Sequence, residues 1–229
     1  IDSDRAAEVG VLVMTGYGLN CEAETSSGFA RLGCRVQQRH VGDLLGEADP
    51  FAGVSILAFI GGFSFGDHVA SGRVYANRLR FRLGDALARF VDDGGLAIGM
   101  CNGFQTMVKL GILPARGRKS GEGLAPAQSS LIDNDRRGYR NAWVRMVGDA
   151  DSPCVWTRGL THCEMPSRHA EGKLVFGEAA PRERLEAAHL VPLHYVDAEG
   201  RATDRWPDNP NGSPGGAAAV CDGTGRVFG

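Results

Sequence analysis

Cys101 stands between Gly99 and Gly103 in the string Leu96-Ala97-Ile98-Gly99-Met100-Cys101-Asn102-Gly103-Phe104-Gln105, where an apolar run gives way to an amphipathic one. Small residues two positions before and two after a nucleophile are what a sharp strand-to-helix turn requires. The backbone folds back on itself there, and larger side chains would collide. A thiol at such a turn lies near the positive end of a helix, which favours thiolate, and the next backbone N–H, that of Asn102, can face an oxyanion. A second donor can come from a neighbouring loop, and Gly61-Gly62-Phe63, after another apolar strand, is the obvious source. This is the equipment of covalent acyl transfer by cysteine. The plainer reading of any free cysteine is a small core residue. The other five, Cys21, Cys34, Cys154, Cys163 and Cys221, lack the turn and read as structural.

The surrounding pattern supplies the elements that hold such a turn. Val9 to Thr15 is a nearly continuous apolar run, as expected of a strand buried on both faces of a parallel sheet. Asn20 is placed to cap a following helix that carries Glu22 and Glu24 in its first turn and ends at Gly33. Cys34 to His40 and Val54 to Ile60 read as the next strands. From Leu79 the apolar residues recur at helical spacing, with Arg78, Arg80, Arg82, Asp85 and Arg89 on the other face, until Gly94 and Gly95. Leu96 to Met100 is a fourth strand, and a helix begins near Phe104 and closes at Gly111. Strands alternating with helices predict an α/β fold of flavodoxin-like, doubly wound type, with a mostly parallel sheet flanked by helices. In such a sheet, ligands bind beyond the carboxyl ends of the strands, where Cys101 falls. Residues 115 to 141 read as an extended surface excursion of illegible function. Beyond them Trp143 to Val147, Lys173 to Phe176, His189 to Val196, Ala217 to Cys221 and Arg226 to Phe228 look strand-like, so the second half is expected to be more antiparallel.

The 229 residues suit one sizeable α/β domain, expected to span 1–229 and to be incomplete at its C-terminal end. A formal charge of −2 gives no field over the whole molecule that argues for nucleic acid or an anionic membrane as partner. No apolar run approaches the roughly 20 residues needed to cross a bilayer, and no signal peptide is evident, so a cytoplasmic location is expected. The six cysteines form no C-x-x-C pair, so neither a metal site nor a redox dithiol is expected.

Five strings occur in order along nearly the whole chain. They are Gly18-Leu19-Asn20-Cys21-Glu22, Gly61-Gly62-Phe63-Ser64-Phe65-Gly66-Asp67, Gly99-Met100-Cys101-Asn102-Gly103-Phe104-Gln105, His169-Ala170-Glu171-Gly172 and Asn209-Pro210-Asn211-Gly212-Ser213. On them the chain resembles the class I, triad-type glutamine amidotransferases, and most closely the glutaminase subunits or domains of phosphoribosylformylglycinamidine synthases in purine biosynthesis. It departs at Ala170, where the family usually has Gly. The resemblance implies that Cys101 attacks the side-chain amide of L-glutamine, releases ammonia and leaves a thioester for water to hydrolyse. Gly62 or Phe63 and Asn102 are then the expected oxyanion donors, with Gly61 and Gln105 in the same substrate-binding group. The ammonia would pass to a synthetase subunit or fused synthetase domain. ATP and Mg²⁺ are expected on that partner and no cofactor in this chain, which has no G-x-x-x-x-G-K-[ST].

A nucleophile of this kind needs a base, normally a His oriented by a carboxylate. In the family this pair lies in a His-Pro-Glu motif just after a strand like Arg226 to Gly229, so it is expected beyond the residues given. His169 and Glu171, two apart, are the internal candidates for the base or for a place beside the glutamine site. Asp67 is expected to position the glycine turn or to serve as an ordinary turn residue. Two rival functions remain open: a glutaminase-like binding or regulatory domain without a base, and a cysteine hydrolase of the same superfold.

Overall fold

A computed structural model describes residues 3–114 and 121–229. The described chain divides into two compact units, one holding the residues up to Leu110 with 121–125, the other 111–114 and the residues from Pro126 onward. Part of the expected surface excursion, 115–120, lies outside the described residues.

The first unit runs α1 (Ser3–Glu8), β1 (Gly10–Thr15), α2 (Glu22–Arg31), β2 (Arg35–His40), α3 (Val41–Leu44), β3 (Ile56–Phe59), α4 (Arg73–Asp92), β4 (Leu96–Gly99) and α5 (Asn102–Leu110). Its strands form a parallel sheet in the order β4-β3-β1-β2. Val11, Leu12, Val13 and Met14 of β1 and all of β3 are buried, as continuous apolar strands covered on both faces must be. Each of these side chains larger than alanine contributes about 1.5–3 kcal/mol by leaving water. The helix ahead of β4 begins at Arg73, six residues earlier than its periodicity suggests, after Gly72 in a left-handed conformation. Tyr75 and Ala76 extend its buried stripe through Leu79, Leu83 and Leu87 to Phe90. Arg80 departs from the solvated face expected of it. Its Nη1 donates to the carbonyls of Leu110 (2.7 Å) and Ala125 (2.8 Å) and its Nη2 to that of Leu124 (3.0 Å), which supplies the last turn of α5 with a donor. Asn20 is not the cap of α2: Cys21 occupies that position without a side-chain cap bond, and Asn20 Oδ1 instead accepts from the Cys21 thiol.

The second unit contains β5 (Ser129–Ile132), β6 (Arg140–Gly148), β7 (His162–His169), β8 (Lys173–Phe176), α6 (Arg182–Glu186), β9 (Leu193–Tyr195) and β10 (Val227–Phe228). It is antiparallel, as expected, with β7-β6-β9 in one sheet and β5 against β8 in another. Val144, Met146, Leu193, Tyr195 and Ala219 form its packed centre. Two expected strands are shorter or absent. Of His189 to Val196 only Leu193–Tyr195 pairs as a strand, and Ala217 to Cys221 makes isolated bridges to His194 and Phe228. Two strands, β5 and β7, were not foreseen.

Candidate active site

Parallel pairing aligns Phe59 of β3 with Gly99 of β4 and Met14 of β1 with Phe59, so the segments after these three strands emerge together at the carboxyl edge of the sheet. Cys101 occupies the turn into α5 at φ +54°, a left-handed backbone that a residue with a Cβ adopts only under constraint. The flanking glycines are required by close approach. A Cβ on Gly103 would land on the carbonyl of Phe59, and one on Gly99 would strike the Met107 sulfur and come within 3.0 Å of the Gly103 backbone. Backbone bonds from Gly103 N–H to Met100 O (2.9 Å) and from Gln105 N–H to Cys101 O (3.1 Å) close the elbow.

Gly61 and Gly62 lie against it. A Cβ on Gly61 would meet Cys101 Cβ at 3.4 Å and Cys21 Sγ at 3.2 Å, so this glycine leaves room for both thiol side chains. Gly62, at φ +132°, packs on the loop after β1, where a Cβ would fall 2.7 Å from Leu19 Cα. Asn20 N–H donates to Gly61 O (3.2 Å) and Phe63 N–H to Gly18 O (3.0 Å), which fixes the loop. Two backbone donors, the N–H groups of Asn102 and Gly62, reach the Cys101 sulfur. The Gly62 N–H faces the sulfur, whereas the Phe63 N–H is engaged by Gly18. The Phe63 side chain stands half in solvent.

The Asn102 side chain is fully buried. Its Nδ2 donates to Asp67 Oδ1 (2.8 Å) and to Gln105 Oε1 (3.1 Å). Gln105, grouped by the sequence with the substrate-binding residues, is thus buried in α5 with its amide oxygen turned onto Asn102. Asp67, Phe65 and Val69 all have positive φ, +53°, +53° and +76°, in a loop where Phe65 stacks on Tyr17 with ring centres 4.4 Å apart.

Cys101 is exposed as a residue, yet protein surrounds its sulfur closely enough that desolvation dominates its ionisation and pushes its pKa up. The Asn102 and Gly62 N–H groups pull it down, and the Asp67 carboxylate adds to the rise. The Asn102 N–H at the start of α5 therefore lowers the pKa without by itself favouring thiolate. A sulfur in this setting needs a partner to take its proton. Cys21, also pushed up by burial and next by Glu24, senses the charge of Cys101 and so belongs to the same neighbourhood.

In the second unit, His169 is held on both ring nitrogens. Asn134 Oδ1 lies 3.1 Å from Nδ1 and Ser167 Oγ 2.7 Å from Nε2. Asn134 Oδ1 also accepts from Gly172 N–H (3.0 Å), while its Nδ2 donates to His169 O (3.1 Å), so the amide orientation is fixed. Nδ1 must then carry the proton and Nε2 accept from Ser167. Burial pulls the ring pKa down to about 4, and the nearby Arg140 guanidinium works in the same direction. With both ring nitrogens bonded, His169 ties the bend between β7 and β8, with Glu171 half-buried in it. The Asn209 to Ser213 string is a buried knot. Asn209 Oδ1 accepts from the N–H groups of Asn211 (3.3 Å) and Gly212 (2.8 Å), and Ser213 Oγ accepts from Leu174 N–H (2.9 Å).

Residues 8–229 match the model of the CobB/CobQ-like glutamine amidotransferase domain. The chain belongs to this glutamine amidotransferase family. Among curated relatives, it is 39% identical over 220 residues to phosphoribosylformylglycinamidine synthase subunit PurQ of Methanococcus maripaludis, covering 96% of this chain and 79% of that protein. It is 35% identical over 222 residues to the PurQ subunit of Dehalococcoides mccartyi, covering 97% and 83%. Among solved structures, that of PurLQS from Thermotoga maritima superimposes with a TM-score of 0.70 at 22% identity, covering 96% of this chain and 85% of that one, which supports the shared fold.

Three residues of this amidotransferase escaped the sequence reading or were only touched by it. Cys21 lacks the glycine-flanked turn that marks Cys101, yet its place in Gly-Leu-Asn-Cys-Glu after β1 brings it to the same sheet edge, against Gly61. Asn134 lay in a stretch with no apolar period, and nothing local signals that its amide organises His169. The bond from Asp67 to Asn102 spans 35 residues and becomes visible only once β3 and β4 are side by side.

Proposed function

We propose that this protein hydrolyses L-glutamine at Cys101 and supplies ammonia to a synthetase partner, as the glutaminase component of a phosphoribosylformylglycinamidine synthase. The observation that carries the reading is the left-handed elbow that presents the Cys101 sulfur to the N–H groups of both Asn102 and Gly62. Membership of the family and the PurQ relatives support it.

In this scheme Sγ of Cys101 adds to the carboxamide carbon. The carbonyl oxygen, now negative, takes the two N–H groups, each worth about 2.7–4 kcal/mol in such a transition state. Collapse breaks the C–N bond and releases ammonia after the nitrogen gains a proton. Water then adds to the thioester, a second oxyanion uses the same donors, and glutamate leaves. Proton transfer calls for a base whose pKa lies near the working pH, and burial holds the ring of His169 far below it, at about 4. No His-Pro-Glu string occurs in the 229 residues. ATP and Mg²⁺ belong in this reading to the synthetase, which activates the acceptor of the ammonia. The place of action is the cytoplasm; among the described residues no helix is long and apolar enough to cross a membrane.

The test is ammonia release from L-glutamine by the full-length protein in complex with its synthetase. Cys101→Ala is expected to lower kcat by at least about 10⁴-fold, and a diazoketone analogue of glutamine is expected to label Cys101. Ammonia release at the normal rate by Cys101→Ala would overturn the assignment.

A further inference from the structure

The loop after β3 is held in a conformation that its own backbone resists. Phe65, Gly66, Asp67 and Val69 lie at φ +53°, +65°, +53° and +76°, and three of these four carry a Cβ. Such a run persists only where contacts from outside the loop over-determine it. Phe65 N–H donates to Tyr17 O (2.6 Å), and the two rings stack, which ties the loop to the segment after β1. Lys109 Nζ donates to Ser71 O (2.7 Å), which fastens its far end to α5. The bond from Asn102 Nδ2 to Asp67 Oδ1, at 2.8 Å, joins the loop to the first residue of α5.

Asn102 is placed as a connector. Its two amide hydrogens go to two acceptors, Asp67 Oδ1 and Gln105 Oε1, so the amide cannot turn over without setting oxygen against oxygen. Its own Oδ1 is buried and finds no partner among the described residues. Leaving a buried oxygen unpaired is unfavourable, and a small apolar side chain would avoid it. What the amide adds is a fixed distance between two segments. Each of those segments contributes one of the N–H groups on the Cys101 sulfur, Gly62 from the loop and Asn102 from the helix.

We propose that Asp67 is a positioning residue: through the Asn102 side chain, its carboxylate holds the Gly62 loop and the start of α5 at the separation that lets both N–H groups reach one oxygen. The proposal rests on the glutaminase reading of Cys101 and adds to it the part that sets the geometry of the donor pair. Asn102 thereby has two tasks, with its backbone N–H facing the reacting atoms and its side chain fastening the loop.

The experiment compares Asp67→Asn and Asp67→Gly in the full-length protein with its synthetase, measuring kcat and KM for glutamine. Asparagine keeps an oxygen acceptor and tolerates positive φ, whereas glycine tolerates the backbone but has nothing to accept the bond. Displacing a donor by about 1 Å costs up to roughly 100-fold in rate. Asp67→Gly is therefore expected to lose about 10–100-fold in kcat with KM within about 3-fold, the mark of an interaction made in the transition state. Asp67→Asn is expected to recover most of the rate. Asn102→Ala, which keeps the N–H and removes the connector, is expected to match Asp67→Gly, and it serves as the decisive variant if Asp67→Gly does not fold. Normal kcat in Asp67→Gly or Asn102→Ala, or equal loss in Asp67→Asn and Asp67→Gly, would overturn the proposal. If instead wild type releases no ammonia or Cys101→Ala still does, the glutaminase reading itself fails, a separate result.

Discussion

The Cys101 sulfur is subject to three influences that do not agree. Loss of hydration raises its pKa most, the two N–H donors oppose that, and the Asp67 carboxylate adds to the rise. With the pKa above that of a free thiol, the thiolate fraction at neutral pH is small and climbs only on the alkaline side. The rate of Cys101 carbamidomethylation by iodoacetamide, followed by peptide mass spectrometry, should therefore still be rising where an unhindered cysteine has levelled off. Removing the carboxylate charge in Asp67→Asn should move the Cys101 profile to lower pH. A profile centred below about 8.5, the ordinary thiol value, would contradict this balance. At this scale the sequence conveyed the residue types but not the outcome: Gly99 and Gly103 revealed the elbow around Cys101, whereas the ranking of desolvation over donors depends on how closely the neighbouring loops approach.

Among the elements, β4 and α5 do most to shape the site, and their junction leaves no room for change. Gly103 faces the Phe59 carbonyl of β3 so closely that a single methyl group has no place. Gly103→Ala should destabilise the fold by about 3 kcal/mol, read from the urea midpoint; a midpoint equal to wild type would show that the strand can yield. The elements of this unit were legible because β1, β3 and β4 are short, continuous apolar runs that end at glycines. Helix α4 was legible in its middle and not at its start, because Arg73 to Arg78 mixes charged residues with Tyr75 and Ala76 and shows the apolar period only once Leu79 follows. In the other unit β7 was invisible for a physical reason. It is an edge strand, mostly exposed, with Pro166 opposite Trp143, and proline is tolerated where no ladder bond is demanded of it. Ala217 to Cys221 shows the reverse: a buried apolar run whose N–H groups bond singly to Leu193, Gly229 and Leu190 rather than to one continuous partner strand.

For the whole molecule, stability in acid should carry the signature of His169. Its pKa is near 4 in the folded protein against 6.5 for an unperturbed ring. Between these values the unfolded chain binds a proton that the folded one refuses. The contribution is thus fully present above pH 6.5, is lost as pH falls towards 4, and then changes no further. The loss is at most about 3 kcal/mol. Urea unfolding of wild type and His169→Gln at pH 7 and pH 4 checks it: the wild type should lose more stability over that interval, and equal losses would show that the ring titrates normally. The same residue shows where the sequence reading stopped. His-x-Glu marks His169 as a candidate base, and only the placement of Asn134 and Ser167 on either side reveals a buried ring bonded at both nitrogens.

The two hydrogens that meet the Cys101 sulfur come from positions 62 and 102, forty residues apart, and they converge because β3 lies in register with β4. A chain still emerging from the ribosome, or one slipped by a single residue between those strands, carries only an ordinary thiol. The donor pair is thus completed by the pairing of β3 with β4, and on the glutaminase reading proposed above a misfolded copy has no means of squandering glutamine.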